Sequence, residues 1–536
     1  MAREVYIAGV GLTKVDLTGK IFADVFDLFR DAYRSALEDS RIRSFDAVQV
    51  GVMCSEEFEG RANIAAKVVD RLGLTGVPAV RTETASSTGA AAFHEAYMKV
   101  AAGQAENVLV LAGERMKMVT TQEATTIMSK TVDPVERSFG FTMPALIALV
   151  TQAWFRERRV KTAQIPEVLS RLMWRAHQLG SDNALAAFHD RPEPLAAYFD
   201  AQKNLPVATP LRRKDCSPIC DGAAALILTS KPQAVRVAGL GCATDTSSIL
   251  DRASLSTLAA TRHAARVAYW RAGIARPREL EGLVVECHDA FNSLLPINLG
   301  DLDLVDPDES IESLVGSLRR DAISPYDHPV TGVRGYLPTN LSGGLKARGH
   351  PVGGTGLFQI AEVYLQIVER FPNPKAQVSD AKIGLAHSIG GPGNNVYVTL
   401  VEASANRRER AELPAPRIRY ESGPSVAAHA RPNLGAASAV VEAATSIYVT
   451  AGNVDPPVHV ALLSIDGRRL FAKLDRPLVG DQPLEEMLTG QKVRVLLKDD
   501  GDHYFQIPQA RGLDLGRIAR SFRRRVGRGE EPVEAG

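Results

Sequence analysis

The sequence predicts an α/β fold made of two related halves, followed by a small antiparallel β-barrel. Three observations carry this expectation. Strand-like and helix-like segments alternate up to residue 402, a pattern that argues for a largely parallel sheet. The heptapeptide VYIAGVG at Val5–Gly11 returns as VRVAGLG at Val235–Gly241, with four of seven positions identical. Beyond residue 403 the alternation gives way to short strand-like runs separated by Asp-Gly turns, the pattern of a small barrel.

In the first half, Val5–Ala8 reads as a buried strand followed by the Gly9-Val10-Gly11 turn. Phe22–Leu37 has helical spacing, Ala47–Met53 reads as a strand and Ile64–Leu72 as a second helix. Thr84-Ala85-Ser86-Ser87-Thr88-Gly89 leads into a helix of small residues over Ala90–Ala102. Asn107–Ala112 is a strand that ends at Gly113-Glu114. The second half repeats the order: helix Leu258–Ala272, strand Gly282–Glu286, helix Thr355–Val368, and strand Ala381–His387 running into Gly390-Gly391. Met116–Pro210 is polar, helix-rich and similar to neither half, so it reads as an insertion.

The expected domains are therefore 1–234, with an inserted domain at about 116–210, and 235–402 as the second half. A charged, proline-bearing linker over 403–417 precedes the barrel at 418–515 and a charged tail at 516–536.

Sixty-three Lys and Arg against 62 Asp and Glu give a net charge of +1, so no global charge recruits nucleic acid or membrane. The content is 45% hydrophobic and 23% charged, as in ordinary globular proteins. The start, MAREVYIAGVGLT, lacks the apolar run of a signal peptide. The most apolar stretch, Phe141–Trp154, is too short to span a bilayer and holds Pro144 and Gln152. These features predict a cytoplasmic protein with no membrane span and no nucleic-acid partner. Arg517, Arg520, Arg523, Arg524 and Arg525 read as a solvated basic tail. Five cysteines make no disulfide framework. Cys216 and Cys220 lack the second pair that a tetrahedral zinc site needs, so no metal is expected.

The densest chemical signal is the run Asn340–Gly356, with six glycines in seventeen residues around His350. Such glycine content marks close backbone approach. The run resembles the GHPxGxTG signature of the thiolase superfamily. Asp221-Gly222-Ala223-Ala224-Ala225 resembles that family's DGAAA strand, and His288-Asp289-Ala290-Phe291 the HDxF motif of its sterol-carrier-protein type. His387-Ser388-Ile389-Gly390-Gly391 resembles the last glycine-rich catalytic loop. The resemblance covers about residues 4–402.

It implies a duplicated five-layered αβαβα fold with an inserted loop domain, coenzyme A thioesters as substrate or ligand, no permanently bound cofactor, and a homodimer. It also implies a cysteine nucleophile at a helix N-terminus, where the dipole and a histidine lower its pKa. The sequence departs from that pattern. Glu83-Thr84-Ala85-Ser86-Ser87-Thr88-Gly89 places Ser86 where the nucleophilic cysteine belongs. Ala290 and Ser388 occupy the two positions available to the second cysteine.

The histidines are kept. The resemblance assigns His288 and His350 to thioester polarisation and nucleophile activation, and places His387 in the last loop. Gly353, Gly390 and Gly391 supply loop backbone for oxyanion binding. Ser342 lies in the signature as a substrate-binding candidate, and Arg212, with Arg213 and Lys214, as a candidate for coenzyme A phosphates. The plain alternatives are a helix N-cap for Ser86, core packing for Cys287, and a solvated surface run for Arg212–Lys214.

The C-terminal segments PPVHVALLSIDG, RRLFAKL and GQKVRV resemble the OB-fold part of the DUF35-type proteins that accompany such thiolases. No cysteine follows Cys287, so their zinc ribbon is absent. Three functions follow. The leading one is an acyl-CoA acyltransferase using Ser86, with classical thiolase activity weak or absent. The others are a non-catalytic acyl-CoA binding protein and a retro-aldolase on a β-hydroxyacyl-CoA. A tyrosine hydroxyl near Ser86 would favour the last.

Overall fold

The computed structural model describes residues 3–200, 202–306, 324–328, 330–406, 408, 410–416, 437–450, 454–465, 467–475, 488–498 and 502–507. The arginine-rich tail, residues 407, 409 and 417 of the expected linker, and the expected barrel start at 418–436 lie outside these residues. The described residues form two units. One holds everything up to 416 together with Thr445–Val458; the other holds 437–444 and 459–507. Thr445–Val458 packs within the first unit.

The first half contains β1 (Tyr6–Leu12), α1 (Val25–Asp39), β2 (Ala47–Gly51), α2 (Ile64–Arg71), β3 (Ala79–Thr82), α3 (Thr88–Ala101) and β4 (Asn107–Arg115). The insertion brings α4 (Met143–Glu157) and α5 (Ile165–Ser181), then the short β5 (Pro206–Ala208) and β6 (Leu211–Arg212). β7 (Asp221–Thr229) closes the half. The second half contains β8 (Val235–Thr244), α6 (Ala259–Ala272), β9 (Leu283–Cys287), α7 (Leu294–Asp301), α8 (Thr355–Ile367), β10 (Ile383–Gly390) and β11 (Asn395–Ala403).

The strand order is β3-β2-β4-β7-β1-β8-β11-β10-β9. The two halves meet edge to edge where Tyr6 and Ile7 pair with Arg236 and Val235. The expected largely parallel sheet is corrected here. Only β3/β2, β2/β4 and β9/β10 run parallel. The pairings β4/β7, β7/β1, β8/β11 and β11/β10 are antiparallel. Alternation alone does not reveal this, because DGAAALILT and NVYVTLVEA return beside strands of opposite direction.

Helices lie on both faces, giving the αβαβα layers. α3 and α8 form the shared central layer. Both are apolar around most of their circumference, with Ala91, Phe93, Ala96, Leu357, Phe358 and Ile360 all buried, which is what a helix covered on all sides requires. α1 and α6 cover the outer faces. α1 is amphipathic and is capped by Asp24, whose side chain accepts from the Asp27 N–H.

The repeated heptapeptide has a physical cause. A Cβ on Gly11 would collide with Ala32 O of α1, and one on Gly241 with Ala264 O of α6. The same glycine lets an outer helix lie against the sheet in each half.

The C-terminal strands β12 (Ala437–Ile447), β13 (Val458–Ile465), β14 (Arg468–Leu474), β15 (Lys492–Leu497) and β16 (His503–Gln506) close into a five-stranded barrel in the order β12-β13-β14-β16-β15. Alternate residues fill it, among them Val441, Leu463, Ala472, Val495 and Phe505.

Candidate active site

The turn from β3 into α3 places Ser86. Ala85 takes a left-handed conformation with φ 53°, a sharp reversal that non-glycine residues adopt only when their surroundings enforce it. Three hydrogen bonds enforce it here. The Thr84 N–H donates to Thr88 Oγ1 at 2.9 Å, Thr88 Oγ1 donates to Ala85 O at 2.6 Å, and Ser87 Oγ donates to Thr84 O at 2.7 Å. The N-cap position of α3 belongs to Ser87, not Ser86. The N-cap alternative for Ser86 therefore does not describe the turn. Ser86 is buried and lines a cavity of about 1010 Å³.

His288 and His350 line the same cavity. Their rings stand perpendicular, with centroids 5.3 Å apart. His288 follows the end of β9, and its Nδ1 accepts the Ile389 N–H at 3.2 Å. The proton of a neutral His288 therefore sits on Nε2. His350 Nδ1 lies 2.6 Å from Thr355 Oγ1, and that hydroxyl donates to Pro351 O at 3.2 Å. With the hydroxyl proton so directed, His350 donates from Nδ1 and keeps the lone pair on Nε2. One imidazole thus offers a donor and its neighbour a base.

Burial pushes His350 down to about 3, with the Arg348 charge adding. Burial and the neighbouring His350, His387 and Arg348 hold His288 well below the usual imidazole range. Both folded-state values lie below the unfolded value near 6.5. Their contribution to stability is therefore complete above about pH 6.5 and is lost as the pH falls through that value towards 3. We expect the ¹⁵N resonances of both imidazoles to stay constant between about pH 5 and 8. A titration of either near pH 6.5 would contradict this environment.

A buried ionic layer holds the histidine loops. Glu286 accepts from Ser342 N at 3.1 Å and Ser342 Oγ at 2.9 Å, and Asp289 accepts from Leu345 N at 2.7 Å. Arg348 Nε lies 2.9 Å from Glu362 Oε1, and both side chains are 1% exposed. Arg348 also covers the Phe358 ring at 4.7 Å. Burial raises both Glu286 and Glu362 above the ordinary carboxylate range, with repulsion from Glu362 adding at Glu286 and repulsion from Asp289 adding at Glu362.

Three sequence-based candidates fall elsewhere. His387 is buried off the cavity, between Thr261 Oγ1 at 3.1 Å and Cys287 Sγ at 3.5 Å. It follows the strand alternation, which sends its neighbour Ser388 to the opposite face. Ser342 holds Glu286 rather than lining the cavity. Arg212 is also off the wall, whereas Arg213 and Lys214 are on it.

Of the glycines, Gly391 lines the cavity with φ 55°. Gly390 packs against the Ser86 turn, where a Cβ would collide with Thr84 O. A Cβ on Gly353 would sit 2.5 Å from Glu114 Oε2. Cys287 points towards His387, away from the cavity. Ala290 lines the cavity.

The sequence reading missed part of the wall. Tyr448 and Val449 line the cavity from the segment Thr445–Val458. That segment is fastened by Thr445 Oγ1 to Thr209 O at 3.0 Å, Tyr448 N to Val207 O at 2.9 Å, and Thr142 Oγ1 to Val449 O at 3.2 Å. Nothing in its composition announces this, since it reads as the end of a barrel strand. Among the described residues, no helix is long and apolar enough to cross a membrane.

This fold, with its paired histidines and glycine-rich loops, is that of the thiolases, and the chain belongs to that family. Residues 5–185 match the family described as Thiolase, N-terminal domain, and residues 241–403 that described as Thiolase C-terminal domain-like. The chain is 32% identical over 409 residues to the acetyl-CoA acetyltransferase of Methanothermobacter thermautotrophicus, covering 74% of this chain and 98% of the relative. It is 29% identical over 419 residues to the sterol carrier protein 2 of Bos taurus, covering 75% and 72%. Among solved structures, the monomeric SCP2-thiolase like protein type 1 of Mycobacterium smegmatis superposes with a TM-score of 0.64 at 18% identity, over 94% of this chain and 99% of that one. The Ltp2-ChsH2(DUF35) aldolase does so with 0.60 at 19% identity, over 76% and 99%. At these identities the structures share the fold.

Proposed function

We propose that the chain is an acyltransferase acting on coenzyme A thioesters, with Ser86 as acyl acceptor. The observation that carries this reading is the complementary pair of imidazoles on the wall that also holds Ser86. In the proposed step, His350 Nε2 takes the Ser86 hydroxyl proton as Oγ attacks the thioester carbonyl. The His288 Nε2–H and the N-terminal end of α3 stabilise the developing oxyanion. Collapse expels the coenzyme A thiolate, which takes up the proton held by His350. An acyl ester remains on Ser86, to be passed to an acceptor.

Membership of the thiolase family and the acetyltransferase relatives support the reaction class. The human mitochondrial 3-ketoacyl-CoA thiolase, a structural neighbour with a TM-score of 0.52 at 16% identity, was solved in complex with CoA. The homodimer belongs to the same proposal, and sedimentation velocity tests it.

Intact-protein mass spectrometry after incubation with acetyl-, hexanoyl- and octanoyl-CoA tests the central claim. The expected result is an acyl adduct on the parent chain that is absent from Ser86→Ala. An adduct that survives the substitution, or no adduct despite binding, overturns it.

A second reading is a retro-aldolase on a β-hydroxyacyl-CoA. Tyr448 favours it, as the one tyrosine lining the cavity among the described residues. It requires release of a shortened acyl-CoA and a carbonyl product without any protein adduct.

A further inference from the structure

The cavity wall carries polar groups that the proposed transfer does not use. His177, on α5, is 2% exposed, and among the described residues neither ring nitrogen has a hydrogen-bond partner. Its ring packs against Phe188, with centroids 4.4 Å apart, and against Tyr198 at 5.6 Å. Lys346 is 5% exposed. Its Nζ donates to Cys216 O at 2.7 Å and stands 5.7 Å from the centroid of the same Phe188 ring. Both residues line the cavity. A neighbouring lysine, Lys214, is already paired with Glu193.

An ammonium has three donors, and a neutral imidazole has one donor and one acceptor. Leaving such groups unmatched away from water is costly. Desolvation and the charges of Lys346 and Lys214 keep His177 neutral, at about 2. Phe291, Leu294 and Ile147 on the same wall offer no hydrogen-bonding side chain. Among the described residues the wall carries Lys117, Lys203, Arg213, Lys214 and Lys346 against the single carboxylate Glu193. Lys203 and Arg213 are exposed, whereas Lys346 is enclosed.

We propose that His177 and Lys346 form a subsite for an oxygen acceptor carried on the acyl chain beyond the thioester, so that the preferred substrates are carboxylated or hydroxylated acyl thioesters rather than plain alkyl ones. This rests on the reading that the cavity holds an acyl-CoA. A carboxylate answers the excess of cations, and Lys346 supplies charge-assisted donors to it. A hydroxyl would engage the His177 ring alone, as donor or acceptor.

Isothermal titration calorimetry on the full chain tests the subsite. Glutaryl-, adipoyl- and suberyl-CoA are compared with pentanoyl-, hexanoyl- and octanoyl-CoA, and 6-hydroxyhexanoyl-CoA serves as the neutral arm. At least one dicarboxylic thioester is expected to bind about tenfold or more tightly than its alkyl counterpart. That ratio should fall to about one in Lys346→Met. His177→Phe, which keeps the ring packing, should remove any preference for the hydroxylated chain. Loss of packing alone would weaken both members of a pair and leave the ratio unchanged. Equal binding of every pair by the parent chain, or a preference that both variants retain, overturns the subsite. Binding of none of the seven thioesters overturns the acyl-CoA reading, and the subsite with it.

Discussion

Ser86→Cys is expected to take up an acyl group from hexanoyl-CoA faster than the parent chain, by about tenfold or more. A serine hydroxyl is almost wholly protonated near neutral pH, whereas a thiol is already partly ionised. The N-terminal end of α3 and the base on His350 act on either atom. The left-handed turn at Ala85 and its three hydrogen bonds do not depend on the Ser86 side chain. The acyl-cysteine is expected to accumulate rather than condense. Ala290 and Ser388 offer no thiol to move the substrate α-proton. Stopped-flow release of coenzyme A, followed by mass spectrometry, reads both parts. A variant that is no faster than the parent would show that the turn does not present residue 86 to the thioester.

Arg348→Leu is expected to destabilise the chain by about 3–5 kcal/mol. The substitution leaves Glu362 buried and Glu286 close by, without the cation that faces them. Both carboxyls are already held above the ordinary range by burial. A carboxyl whose folded-state pKa is raised contributes stability at low pH and loses it as the pH climbs through the folded value. Removing the arginine raises those values further, so the window of loss extends to higher pH. The destabilisation should therefore be larger at pH 8 than at pH 6, as measured by urea unfolding midpoints. An equal cost at both values would mean that Arg348 acts through its packing on Phe358 and not through its charge.

Much of this architecture is legible in the amino-acid sequence. The echo of Val5–Gly11 in Val235–Gly241 reflects one repeated contact, a glycine that admits an outer helix. The small-residue helix after Ser86 reads correctly because a helix enclosed on all sides must be apolar all round. Strand direction was not legible. β7 is buried throughout, as are the parallel strands β2 and β9, and direction is set by connections that composition does not encode.

Within the site, His288 and His350 stand together because the motifs specify local turns. His387 and Ser342 lie in equally glycine-rich surroundings, yet strand alternation and the Glu286 carboxylate turn them from the cavity. His177 and Lys346 are not marked as site residues by the sequence, since a lone histidine on a long helix and a lone lysine on a short one inside a glycine-rich run are common in any sequence. Only tertiary packing brings them to one aromatic ring.

The fastening of Tyr448 and Val449 to the inserted segment has a consequence for how the chain is made. A ribosome extends a chain at about 5–20 residues per second, and every strand of the nine-stranded sheet has been synthesised before residue 448 emerges. For several seconds each nascent molecule thus has a complete set of core strands beside a chamber that still lacks one wall. Completion of that chamber is timed by translation of the first barrel strand. Silent codon changes that slow synthesis between residues 403 and 448 would lengthen the open interval without altering a single side chain.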